Sequence, residues 1–184
     1  MRAFLAIELN DYVVDKLVKT QQKLDNPDFG KIKMVEKQNM HLTVKFFGDI
    51  DNTKLNQITR CINDAKDDFK PYTGKVVGIG AFANFHNPRV IWTTLKDKKD
   101  MTTKLLKNFD MKFSNLGFKK EKSYKPHITL GRVKNIKDKK ILYEALESVK
   151  REYYGKVDVN KLVLKSSTLT PSGPIYETVE EFKL

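Results

Sequence analysis

The stretch Asn39-Met40-His41-Leu42-Thr43-Val44-Lys45-Phe46-Phe47-Gly48 and its echo, Pro126-His127-Ile128-Thr129-Leu130-Gly131-Arg132, decide how this chain is read. Each places His-x-Thr in an otherwise apolar run with the composition of a strand. The two histidines stand 86 positions apart. The strands opening at Arg2 and Arg89, and the helix-capping aspartates Asp51 and Asp138, are each separated by 87. A near-constant offset across three landmarks indicates an internal duplication.

Working outward, Arg2 to Leu9 reads as a buried strand, and Asn10 or Asp11 caps a helix running to about Leu24. His41 to Phe47 is a strand closed by Gly48. Asp51 opens a helix whose Leu55, Ile58, Ile62, Ala65 and Phe69 recur at helical spacing. Lys75 to Ile79 is a further strand. The second half replays this order: a strand from Arg89 to Leu95, a helix carrying Leu105, Phe109, Phe113 and Leu116, and a strand from His127 to Val133. A helix from Asp138 buries Ile141, Leu142, Ala145 and Val149. Lys156 to Leu164 and Ile175 to Phe182 are expected as the last strands, with Ser166 to Gly173 as a loop or irregular edge. The expected fold class is α+β: a bilobal duplicated domain over residues 1–184, with two pseudo-twofold-related antiparallel sheets backed by helices around a cleft.

On a strand, residues i and i+2 face the same side. His41 therefore projects with Thr43, and His127 with Thr129, while Leu42, Val44 and Phe46 face the core. Phe47 falls on the motif face, where it either stacks on a base or closes the core. Two such strands across a pseudo-twofold put two imidazoles in one cleft. Breaking a phosphodiester needs a base to deprotonate the attacking oxygen and an acid to protonate the leaving one, and imidazole serves either role near neutrality. The threonine hydroxyls can donate to the non-bridging oxygens, whose charge grows in the transition state. Two of only three histidines carry the motif, which makes the pair far more specific than either alone. His86, in a Phe-His-Asn-Pro turn, reads as a loop residue, and Cys61 as core packing.

The chain lacks Cys-x-x-Cys, His-Glu-x-x-His and phosphate-loop signatures, so neither a metal nor another cofactor is expected. Thirty-five basic against 23 acidic residues leave +12, which favours a polyanionic partner, nucleic acid before membrane. No apolar run is long enough to span a membrane, and Met1 to Glu8 is too short an apolar start for a signal peptide. A lone cysteine fits a reducing compartment, so a cytoplasmic monomer is the default expectation.

With the residues in place, the chain resembles the two-histidine phosphoesterases, and among them the RNA 2′,3′-cyclic phosphodiesterases, also called 2′-5′ RNA ligases. The resemblance runs through the opening Met-Arg-Ala-Phe-Leu-Ala-Ile-Glu-Leu, both motifs, Pro88 to Trp92, and Ser166 to Tyr176. It implies hydrolysis of 2′,3′-cyclic phosphates on RNA ends, tRNA fragments among the substrates, and ATP-independent 2′-5′ joining. It also implies that His41 is the proton donor, His127 the proton acceptor, and Thr43, Thr129 and Arg132 the phosphate holders. Strict alternation puts Arg132 opposite His127, unless Gly131 permits a bulge that turns it back. The basic loop Lys119, Lys120, Lys122 and Lys125 reads equally as an RNA track or as solvated surface. A module that binds nucleotides or RNA ends without turnover is the alternative, which intact His and Thr at both motifs disfavour.

Overall fold

The computed structural model describes all 184 residues as nine strands and four α-helices in one curled antiparallel sheet with helices behind it. The first half of the sequence supplies β1 (Arg2–Glu8), α1 (Asp11–Leu24), β2 (Gly30–Met34), β3 (His41–Asp49), α2 (Asn52–Lys66) and β4 (Tyr72–Phe82). The second supplies β5 (Val90–Asp97), α3 (Met101–Ser114), β6 (His127–Ile136), α4 (Lys139–Val149), β7 (Tyr153–Val159), β8 (Lys161–Thr170) and β9 (Gly173–Lys183). The expected caps operate. The side chain of Asn10 accepts from Val13 N, Asp51 from Lys54 N, and Asp138 from Lys140 N and Ile141 N. Helix α3 starts differently, with the Asp97 carboxylate taking the amides of Met101 and Thr102.

The sheet order is β7-β4-β5-β6-β3-β1-β8-β9, with β2 also pairing to β6. It consists of two four-stranded antiparallel arrays, β7-β4-β5-β6 and β3-β1-β8-β9. They meet at one bridge, Leu42 opposite Ile128, the middle residues of the two motifs. Both side chains are fully buried, so the join is sealed by apolar packing rather than by a long ladder of hydrogen bonds. Beyond it β6 turns to β2, pairing Gly131 with Met34 and Arg132 with Lys33, and the arrays part.

The arrays do not coincide with the sequence halves. Strand β4, from the first half, lies between β5 and β7 of the second. The helices are exchanged as well: α1 packs on β7 and β6 and against α4, whereas α3 packs on β3 and β5 and against α2. Each array is thus backed by one helix from each sequence half, and a single cluster of 36 buried residues runs through both.

Three local expectations are corrected. Lys156 to Leu164 is not one strand, because Asn160 separates β7, an edge strand of one array, from β8, which lies between β1 and β9 in the other. Ser166 to Gly173 is not a loop or irregular edge but the turn end of the β8–β9 hairpin, whose tight turn uses Gly173 at φ +141°. Strand β2 is an addition to the expected elements, although Lys31-Ile32-Lys33-Met34 alternates polar and apolar residues in step with its burial; its five residues make it the shortest strand of the sheet.

Candidate active site

The two motif strands share a defect that shapes the cleft. In β3, Ala6 opposes Thr43 but Leu5 opposes Lys45, leaving Val44 as an extra residue. In β6, Trp92 opposes Thr129 but Ile91 opposes Gly131, leaving Leu130 as the extra one. The β-bulge makes two successive residues face the core, Val44 with Lys45 and Leu130 with Gly131, and reverses the alternation after them. Arg132 is thereby returned to the side of His127 and Thr129. Phe46, its counterpart, is 44% exposed on the cleft side, and Phe47 is buried against Phe113 and Phe118. The strand expectation that Phe46 faces the core and Phe47 the motif face is therefore inverted, and the bulge is the reason.

Antiparallel register around Leu42 and Ile128 sets Thr43 beside His127 and His41 beside Thr129. The histidines are then diagonal neighbours, their backbones about 7–8 Å apart, a gap that a phosphate between two imidazoles can span. Each ring is oriented by the carbonyl two residues before it. His41 Nδ1 lies 2.8 Å from Asn39 O and His127 Nδ1 lies 3.0 Å from Lys125 O. A carbonyl only accepts, so Nδ1 carries the proton in both rings and Nε2 is the nitrogen left for chemistry. His41 Nε2 also meets Thr43 Oγ1 at 3.0 Å.

The surroundings of the two rings differ. His41 stacks on Phe4 at 4.7 Å and meets the edge of Tyr176 at 5.6 Å. Burial between these rings pushes its pKa down to about 4, against the opposing pull of the Asn39 carbonyl. His127 has one aromatic neighbour, the edge of Phe82 at 5.3 Å, and is only partly buried.

All five residues singled out from the sequence, His41, Thr43, His127, Thr129 and Arg132, line one cleft of about 450 Å³. So do residues that the sequence reading did not single out. Arg2, Lys33 and Lys134 join Arg132 as four cations against one carboxylate, Glu36. The Arg2 guanidinium lies 4.9 Å from the centre of the Phe46 ring, and Tyr176 closes the wall behind His41. Asn39 is buried, and its amide donates to Pro174 O at 2.9 Å, tying β9 to the carbonyl that orients His41. Arg2 and Phe4 were legible in principle as the alternate face of a strand whose Ala3, Leu5 and Ile7 are core. The backbone carbonyls that orient the histidines leave no signal in residue type.

A family model described as "LigT like Phosphoesterase" matches residues 7–92 and 95–176. The chain belongs to the LigT-like phosphoesterase family. The RNA 2′,3′-cyclic phosphodiesterase of Methanocaldococcus jannaschii is 40% identical over 182 residues, covering 99% of this chain and 100% of that protein. The protein of the same name from Methanothermobacter thermautotrophicus is 35% identical over 184 residues, 100% of this chain and 99% of its own length. Among solved structures, TT0787 of Thermus thermophilus superposes with a TM-score of 0.82 at 27% identity, covering 100% of this chain and 98% of that one. The family resemblance read from the sequence thus stands. In this LigT-like phosphoesterase His86 lies away from the cleft, stacked on Tyr143 at 4.6 Å. Cys61 packs half-buried against the core. No three His, Cys, Asp or Glu side chains converge anywhere in the chain, and no helix is long and apolar enough to cross a membrane.

Proposed function

We propose that this protein opens 2′,3′-cyclic phosphodiesters at RNA ends to 2′-phosphomonoesters, using the two His-x-Thr motifs as acid and base without a metal. The observation that carries this reading is the pair of imidazoles on adjacent bulged strands, each with Nδ1 engaged by a backbone carbonyl and Nε2 left as the nitrogen that can exchange a proton, in His41 beside the Thr43 hydroxyl. The relatives' name, RNA 2′,3′-cyclic phosphodiesterase, supplies the substrate class, and the four cations of the cleft suit a phosphate.

In this mechanism His127 Nε2 takes the proton of an attacking water as its oxygen bonds to phosphorus. The bond from phosphorus to the 3′ oxygen breaks opposite, and His41 Nε2 gives that oxygen a proton. Thr43, Thr129 and Arg132 hold the non-bridging oxygens as their charge grows. The protons balance: one is taken by His127 and one is given by His41. Replacing water by the 5′-hydroxyl of another strand gives a 2′-5′ phosphodiester by the same displacement, driven by the strain of the cyclic ester and needing no ATP. His41 must be protonated to act as donor, whereas burial alone keeps it neutral near pH 7. A phosphodiester anion between the histidines supplies the negative charge that raises its affinity for a proton.

The test is an oligoribonucleotide with a 2′,3′-cyclic phosphate end, incubated in excess EDTA, with the product phosphate located by NMR. A 2′-phosphate is expected from the natural protein, and none above background from His41→Ala or His127→Ala. A requirement for divalent metal, or strong turnover by either variant, would overturn the two-histidine mechanism. Tight binding of the cyclic end without turnover would make the protein a binding module.

A further inference from the structure

The lysines around the cleft are not distributed alike. Behind His41 they are neutralised: Lys165 pairs with Glu8 at 2.6 Å, Lys161 with Glu181 at 2.7 Å, and Lys37 with Asp15 at 2.6 Å. Beyond His127 they are not. Lys119, Lys120, Lys122 and Lys125 are all exposed, and none of them forms an ion pair. The one acid in that loop, Glu121, reaches Lys45 at 3.1 Å. The four lysines, with Glu121, Ser123 and Phe82, wall a second groove, and His127 is the residue it shares with the main cleft.

The loop has no regular secondary structure yet is held in place. Lys45 Nζ donates to Lys119 O at 2.6 Å, and the Asp110 carboxylate accepts from Glu121 N at 3.0 Å and Tyr124 Oη at 2.8 Å. Lys125 Nζ sits 4.2 Å from the Trp92 ring. Unpaired ammoniums carried on a backbone already held in place bind a polyanion without first bearing the entropy of ordering the loop.

We propose that this groove is a subsite for a second RNA single strand, held on the His127 side of the reacting phosphate. The inference rests on the reading of His127 as the base. In an in-line displacement the attacking oxygen lies on the base's side, opposite the leaving 3′ oxygen and the ribose that carries it. The cyclic end and its own chain therefore belong to the His41 side and the main cleft. A backbone lying over Lys119, Lys120 and Lys122 approaches from the attacking side, and controls whether water or a strand hydroxyl reaches phosphorus.

The test uses a 5′-hydroxyl oligouridylate ending in a 3′-deoxynucleotide, which has no cyclic end of its own to be hydrolysed, and uridine 2′,3′-cyclic phosphate as the probe whose opening to the 2′-phosphate is measured. The oligouridylate is expected to lower kcat for the mononucleotide while changing KM less than twofold. In the triple variant Lys119→Gln, Lys120→Gln, Lys122→Gln its affinity, read by fluorescence anisotropy, should fall at least tenfold. The slope of log K against log salt should shrink by about 2, at roughly 0.7 per lost phosphate contact. Hydrolysis of the mononucleotide by that variant should stay within twofold of the natural protein. Unchanged affinity in the triple variant, or an oligouridylate that raises KM and leaves kcat alone, overturns the assignment. Absence of hydrolysis in the natural protein would instead sink the phosphodiesterase reading, and the anisotropy comparison would still decide the groove.

Discussion

Lys45 Nζ lies 2.6 Å from Asp110 Oδ1, with the two side chains 3% and 1% exposed. This buried ion pair joins the bulge of β3 to α3 and to the loop that leads into His127. Burial alone would raise the Asp110 pKa, but hydrogen bonds from Lys45, Tyr124 and the Glu121 amide outweigh it and hold the carboxyl below its usual range. Removing one partner strands the other charge. Lys45→Met is therefore expected to cost about 3–5 kcal/mol of unfolding free energy. The double replacement Lys45→Met, Asp110→Leu should cost clearly less than the sum of the single changes. Urea unfolding of the four proteins measures both, and additive losses would show that the pair is not coupled.

The matching position in the second motif is Gly131, and it is filled from outside. A Cβ there would lie 2.9 Å from Ile32 Cγ2 and 2.9 Å from Met34 Sδ, both on β2. Gly131→Ala is expected to push β2 off the bulge at a cost of about 1–3 kcal/mol. Thermal or urea unfolding reads the loss, and a neutral substitution would mean that β2 yields freely.

Arg132 is the side chain that this bulge returns to the cleft. A charge-assisted hydrogen bond to phosphate is worth about 1.5–3 kcal/mol, so Arg132→Ala should lower kcat/KM for a cyclic phosphate by roughly 10- to 100-fold. Arg132→Lys should recover part of this, keeping the charge and losing the fork. Kinetics on an unfragmented cyclic-ended oligonucleotide decide it, and an unchanged kcat/KM in Arg132→Ala would remove the residue from the phosphate site.

The sequence made some of this architecture legible and concealed the rest for identifiable reasons. Helices were clear because Ile58, Ile62 and Ala65, or Leu105, Phe109 and Phe113, repeat at their period and are buried as expected. The candidate site residues were legible because a strand projects His41 with Thr43 and His127 with Thr129, and all four line the cleft. What strict alternation could not give was the bulge, which costs one residue of register and exchanges Phe46 with Phe47. The exchange of β4 and of the helices between arrays was equally hidden, since a repeat in sequence fixes the order of elements and not their partners. Lys45 shows the same limit: a lysine among Val44, Phe46 and Phe47 gives no hint that its charge is buried until Asp110, 65 positions away, is brought to it.

His41 also predicts how stability responds to acid. Its pKa is about 4 in the folded chain, against an ordinary 6.5. The unfolded chain therefore binds the extra proton first as pH falls through 6.5, and stability drops until about pH 4, where the folded ring also protonates. The loss is on the order of 1–3 kcal/mol, because the ring is only partly screened from solvent. His41→Gln should flatten the unfolding free energy across this window while leaving it similar at pH 8. A variant whose stability falls with pH as steeply as the natural protein would show that His41 is not held neutral by the fold.

The same depressed pKa makes anion binding a proton-uptake event. A phosphodiester between the histidines favours imidazolium, so the His41 pKa must be higher in the complex than in the free protein. Linkage then requires affinity to rise as pH falls from the complex's pKa toward 4, and protons to be absorbed on binding. A thymidine dinucleotide is a suitable probe, because its phosphodiester keeps one charge over this range and lacks the 2′-hydroxyl needed for cleavage. Calorimetry at pH 6 in two buffers of different ionisation enthalpy should report uptake of up to about one proton per site. His41→Ala should lose most of that uptake and His127→Ala should keep most of it. Equal uptake in both variants would place the titrating group elsewhere, and with it the proton that the leaving oxygen receives.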